Sequence, residues 1–185
     1  MDNLNNMWNK FSDIAVARSS RADQSEYILK LESLVGTPLP DDFKQFLLKI
    51  GRYKMAPPES LDVGYVIKLP KSKGGRKSIG LSSSLSIKAM IESCDEWGRS
   101  LPPKSILIEE TGDGSNLFMS MVPGSIGEIY FIERDHYMDS GEFDDYECEE
   151  DACDAFDPKH GVIPNIFSKL ADSFSDFIIA VELDE

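Results

Sequence analysis

Apolar residues keep two different periods in different parts of this chain, and that switch restricts the folds open to it. Leu4, Met7, Trp8, Phe11, Ile14 and Ala15 recur at helical spacing. So do Tyr27, Ile28, Leu31, Leu34 and Val35, and then Phe43, Phe46, Leu47 and Ile50. One apolar face on each segment predicts three successive helices. Asp23 stands three positions before Glu26, the arrangement of an N-cap and its reciprocal partner. Pro40 suits the start of the third helix because its missing N–H costs nothing there. Gly36 and Gly51 are suited to end the second and third helices.

The pattern then turns to alternation. Val63, Tyr65, Ile67 and Leu69 are interleaved with Gly64, Val66 and Lys68, which predicts a half-buried strand. Residues 71–80 read as a glycine-rich basic loop, a hairpin connection. Ser82 to Ser84 offer an N-cap for a helix in which Ile87, Met90, Ile91, Cys94 and Trp97 share a face, closed by Leu101-Pro102-Pro103. Strands are expected at 105–109, 116–121 and 128–134, and the short turns between them imply an antiparallel meander. Ile166, Phe167, Leu170, Phe174, Phe177, Ile178 and Val181 predict one long final helix. The fold class is therefore α+β, with a central, mainly antiparallel sheet flanked by N-terminal helices and a C-terminal helix. A chain of 185 residues fits one domain spanning 1–185.

The formal net charge is −14. A polyanion is bound through a lysine- and arginine-rich surface, so this balance excludes nucleic acid as the expected partner. Anionic lipid would repel the protein in the same way. No run of about 18 apolar residues is present, and the N-terminus carries no secretory pattern. Three cysteines, Cys94, Cys148 and Cys153, are few and odd in number for a disulfide scaffold. Free thiols in a reducing, cytoplasmic compartment are expected.

Most of the charge has one address. Asp139, Glu142, Asp144, Asp145, Glu147, Glu149, Glu150, Asp151, Asp154 and Asp157 are ten carboxylates, and no lysine or arginine lies between Arg134 and Lys159. A stretch like this can be a solvated loop. Concentrated charge can also steer a basic partner, and Phe143, Tyr146 and Phe156 add apolar anchors of the kind that dominate interface energetics. The candidate partner-binding residues are Asp139, Glu142, Phe143, Asp144, Asp145, Tyr146, Glu147, Glu149, Glu150 and Asp151.

Catalytic constellations are sparse. His136 and His160 are the only histidines, and neither a nucleophile elbow nor a phosphate-cradling motif is present around Gly74-Gly75. His136, Cys148, Cys153 and His160 are zinc-type ligands in one segment, but their spacing is irregular for a structural site. Residues 139–150 lack the glycine placement of an EF-hand. No metal, no cofactor and no enzymatic activity are expected.

Four segments in order resemble the SUKH superfamily, which includes yeast Smi/Knr cell-wall regulators and bacterial immunity proteins. Leu39-Pro40-Asp41-Asp42-Phe43-Lys44-Gln45-Phe46-Leu47 is similar to its "LPxD[YF]xxFL" helix start. Residues 106–118 resemble its "ia.dg.Gd.l.l" strand–turn–strand. Gly127-Glu128-Ile129-Tyr130-Phe131, with Asp135-His136, is similar to "G.Vy…dh", and residues 171–178 to the closing "a.SF.eFl" helix. The chain departs from the family at Gly51-Arg52-Tyr53, where an "NGG"-like turn is common, and in an acidic insertion at about 139–160. The resemblance implies an α+β binding domain without catalytic residues: an immunity protein that neutralises a toxin, possibly a nuclease, by direct binding. The alternative it implies is a Smi/Knr-type regulatory or scaffold protein linked to cell-wall synthesis or signalling. A metal-dependent enzyme is the third reading. Under the first, the partner is a basic toxin domain.

Overall fold

The computed structural model describes residues 2–17, 24–56, 64–73, 76–96, 101–111, 115–132 and 146–184. In chain order these form α1 (Asp2–Ile14), β1 (Ala15–Ala17), α2 (Ser25–Val35), α3 (Asp41–Lys49), β2 (Tyr53–Met55), β3 (Tyr65–Lys73) and β4 (Arg76–Leu81). They continue as α4 (Ile87–Glu96), β5 (Ser105–Glu110), β6 (Asn116–Ser120), β7 (Ile129–Ile132), α5 (Glu149–Asp154), β8 (Phe167–Ala171), α6 (Phe174–Ile179) and β9 (Glu182–Leu183). The strands make three antiparallel sheets, β1-β2, β4-β3-β9 and β5-β6-β7-β8. β3 lies alongside β8, which brings the two larger sheets together. The expected α+β class, with helices at both ends flanking antiparallel sheet, is what the chain adopts.

Helices α1, α2, α3, α4 and α6 pack their apolar stripes on one side of the sheets. Met7 and Phe11, Ile28 and Leu31, Phe43 and Phe46, Met90, and Phe174 and Phe177 meet Ile106, Leu117, Met119, Ile129 and Phe131 there. Phe46 sits at the centre, with ring centroids 5.6 Å from Phe11, 6.0 Å from Tyr53 and 4.8 Å from Phe174. Edge and tilted contacts of this kind add to simple burial.

Several local expectations are corrected. The final helix is two elements, β8 and α6, broken at Asp172-Ser173. The Ser173 hydroxyl accepts the Asp176 N–H at 3.0 Å and so starts a new helix. The basic loop at 71–80 is largely strand, with Lys73 opposite Arg76. Ala15, assigned by periodicity to the first helix, begins β1, whose partner β2 was also unforeseen. Ser82 to Ser84 do not cap α4; Ser86 does, accepting the Ala89 N–H at 3.2 Å. Asp23, Trp97 and the 112–114 turn lie outside the described residues, and Gln24, which precedes α2, makes no side-chain cap bond.

The freed serines have another task. A bulge between Leu107 and Glu109 sets Leu107 opposite Phe118 but Glu109 opposite Leu117, leaving Ile108 as the extra residue. Glu109 is thereby turned toward the main core, a bulge's usual effect on side-chain direction. It is fully buried. Its Oε1 accepts the Ser82 N–H at 2.6 Å, the Ser83 N–H at 3.2 Å and the Ser82 hydroxyl at 3.1 Å. Its Oε2 accepts the Tyr53 hydroxyl at 3.1 Å. One carboxylate thus joins β2, the β4–α4 connection and β5. Burial pushes its pKa above the ordinary carboxylate value against the lowering effect of these bonds.

Gly127 explains why two of the resembling segments need each other. Its φ is +91°, and a Cβ there would stand 3.1 Å from Pro40 Cγ at the start of α3. Gly127→Ala is expected to cost about 1–3 kcal/mol, from left-handed backbone strain and displacement of Pro40. Urea unfolding measures it; a loss of under about 0.5 kcal/mol would show that the turn relaxes freely.

Candidate protein-binding surface

The four-stranded sheet is covered on both faces, and the second cover is acidic. Leu107, Phe118, Tyr130, Ile132 and Phe167 point away from the main core. Over them lie Ala152, Cys153 and Phe156 from α5 and its exit, together with Ile166. Phe156 fills the centre, 5.0 Å from Tyr130, 4.9 Å from Phe167 and 5.7 Å from Phe118 by ring centroid. Burying one such side chain is worth about 1.5–3 kcal/mol.

The sequence of α5 divides cleanly around its axis. Ala152, Cys153 and Phe156 follow one another at helical spacing and are buried. Glu150, Asp151 and Asp154 occupy the opposite side and are exposed, as is Glu147 just before the helix. Cys148, in extended conformation, precedes the helix, and Glu149, Glu150 and Asp151 fill its first turn. Carboxylates there complement the partial positive charge of the helix N-terminus. Six residues would be marginal as a helix in isolation; the apolar side against the sheet supplies what propensity cannot. Glu147, Glu150, Asp151 and Asp154 form no ion pair with any described residue.

Among the expected binding residues, then, Glu147, Glu150 and Asp151 share an open acidic face and Glu149 lies half-buried at its margin. Tyr146 is half-buried and packs on the second cluster. Asp139, Glu142, Phe143, Asp144 and Asp145 lie outside the described residues. Phe156 is a core residue of the cover rather than a free surface anchor. The zinc-type residues are separated by burial: Cys148 is exposed, Cys153 buried, and His160 exposed. His160 Nδ1 is 2.5 Å from Asp157 Oδ2, and this contact holds the Asp157 carboxyl below its ordinary value. His136 lies outside the described residues. Among the described residues no group of three or more His, Cys, Asp or Glu side chains could hold a metal ion. Nor is any of their helices long and apolar enough to cross a membrane.

Beyond α5 the chain makes a tight turn. The Asp157 N–H donates to the Val162 carbonyl at 2.8 Å and the Val162 N–H to the Asp157 carbonyl at 2.9 Å. Between them Pro158–His160 form a 3-10 turn that Asp157 caps, and Gly161 closes it at φ +78°. Val162 and Ile163, on and just past this turn, are exposed aliphatic residues that sequence periodicity did not single out. The signal available for them was Asp157-Pro158 followed by Gly161, which marks a turn with fixed backbone.

The family model described as SMI1 / KNR4 family (SUKH-1) matches residues 24–180 of the chain. No curated protein matches it.

Proposed function

Because the chain belongs to the SMI1/KNR4 (SUKH-1) family, we propose that it is a non-enzymatic protein-binding domain, an immunity-type protein that neutralises a basic toxin domain by direct contact. The observation that carries this reading is the one-sidedness of α5. Its apolar side is spent on the sheet, while Glu150, Asp151 and Asp154 face outward without ion-pair partners among the described residues. Glu150 and Asp151 also serve the helix N-terminus, but Asp154 stands at the end where the helix favours a cation, and with Glu147 these exposed carboxylates repel one another. A cationic partner surface would relieve that repulsion and would be drawn toward it over roughly a Debye length. Cys94, Cys148 and Cys153, none of them in a disulfide, fit a cytoplasmic site of action.

Co-expression with a basic toxin domain encoded by an adjacent gene tests the reading. A complex should survive gel filtration at low salt, loosen as salt is raised, and leave the toxin inactive. No complex and undiminished toxicity would overturn it.

A further inference from the structure

We propose that a small cavity between α2, α4 and the start of β5 binds a short-chain carboxylic acid as its anion. Leu34, Val35, Leu101 and Pro102 supply apolar walls, and Lys104 and Ser105 complete the lining. Leu34, 42% exposed, stands where the cavity meets the surface. The volume is about 120 Å3. That is the space of about four water molecules at roughly 30 Å3 each. A drug-sized ligand needs roughly 300–1,000 Å3, so only a few carbon atoms and one polar group fit.

Two features of the lining select that polar group. Ser105 is 7% exposed, and its hydroxyl has no hydrogen-bond partner among the described residues. A buried hydroxyl is unfavourable until a group arrives that accepts its hydrogen. Lys104, next to it in the chain, is exposed and forms no ion pair with any described residue. It is the one charged residue among the described residues of the lining, and no carboxylate stands among them. Asp95 and Glu96 follow Cys94 along α4, but their positions fall on other faces than the Ser93–Cys94 side that lines the cavity. A carboxylate would accept the Ser105 hydroxyl hydrogen and meet the Lys104 ammonium, a charge-assisted pairing. Its alkyl part would pack on Leu34, Val35 and Leu101.

The backbone of Lys104 gives an independent reason. At φ +56° it is the one non-glycine residue in the left-handed region among the described residues. Its carbonyl accepts the Met121 N–H at 2.8 Å, which ties the conformation to the residue just past β6. Strain held in place this way recurs at ligand sites. Glycine or asparagine would adopt the turn more freely. The turn gains nothing from lysine; the cavity gains its cation.

The test titrates the full chain with isobutyrate at constant pH and ionic strength, following backbone amides by heteronuclear NMR. Isobutyramide and isobutylamine, similar in shape, serve as neutral and cationic probes. Saturable shifts at Leu34, Val35, Cys94, Leu101 and Ser105 are expected, with a Kd in the millimolar range that suits so few atoms. Isobutyramide should bind about fivefold more weakly, the factor supplied by one charge contact partly open to water. Isobutylamine should give no saturable shift. Lys104→Asn should lose about the same factor for isobutyrate while unfolding in urea no earlier than wild type, because asparagine tolerates left-handed backbone. Ser105→Ala should weaken isobutyrate about threefold or more. Equal affinity for the amide or the amine, or isobutyrate binding unchanged by Lys104→Asn, would overturn the anion site. So would wild-type shifts that never saturate or that lie away from the cavity. Any of these failures leaves the reading of α5 as a partner face untouched.

Discussion

Glu109→Ala should lower the unfolding free energy by about 3–5 kcal/mol, the largest effect expected of any single polar residue in the fold. The substitution removes the acceptor of the Ser82 and Ser83 N–H groups and of the Tyr53 hydroxyl at once. Each buried donor left without a partner costs about 1–3 kcal/mol, and the cavity left by the side chain adds to that. Relief from burying a carboxylate offsets part of the loss. Glu109→Gln separates these contributions. Its amide oxygen can still accept the serine donors, and its NH2 can donate to Tyr53 Oη, so a change within about 1 kcal/mol is expected near pH 4.

The pH dependence carries a definite sign. Burial raises the folded pKa of Glu109 above its unfolded value. As pH climbs from the ordinary carboxylate range through that raised value, the unfolded state releases its proton first, and wild-type stability falls. Below this window the group is protonated in both states and adds no such penalty; above it the penalty is constant. The stability of Glu109→Gln minus that of wild type should therefore rise with pH across the window and then level. Other carboxylates cancel in the difference. A flat difference would show that the carboxylate is not held in a desolvated site.

Phe156→Ala should cost about 3–5 kcal/mol, with an outcome different in kind. Phe156 is the ring around which the cover packs on Phe118, Tyr130 and Phe167. The main core on the other face shares none of these residues. Without Phe156, α5 retains little more than Ala152 and Cys153 against the sheet, so local opening is expected before global unfolding. Amide exchange should accelerate strongly in 149–156 while α3 and α6 keep their protection. Uniform acceleration throughout would mean that cover and core unfold as one unit.

The same residues show which physical signals the sequence carried. Helices α2 and α3 were legible because an apolar stripe, a terminal glycine and Pro40 agreed with one another. The β8–α6 region misled because Phe167, Leu170, Phe174, Phe177 and Val181 keep helical spacing across a break. A strand buried on both faces has no alternation to contradict that spacing. Ser173 three residues before Asp176 was the overlooked signal, a helix start inside the supposed helix. Glu109 was invisible as a buried residue because its direction depends on a one-residue bulge that no local pattern marks. In the acidic stretch, charge and aromatics were read together as one surface. The structure sorts their described members by face, with Phe156 and much of Tyr146 inward and Glu147, Glu150, Asp151 and Asp154 outward.

The outer face of α5, with Glu147 just before it, carries the exposed carboxylates proposed to meet the partner. The decisive measurement is the dissociation constant for a basic toxin domain, the partner class proposed above, across a salt series. It compares wild type with a variant carrying Glu147→Gln, Glu150→Gln, Asp151→Asn and Asp154→Asn. All four positions are exposed, so the fold should stay intact, with about 1 kcal/mol lost at the N-terminus of α5. The expected result is binding weakened by about tenfold or more at low salt, through slower association, with a much shallower dependence on salt. Equal affinity and an equal salt slope for the two proteins would contradict the claim that this face meets the partner.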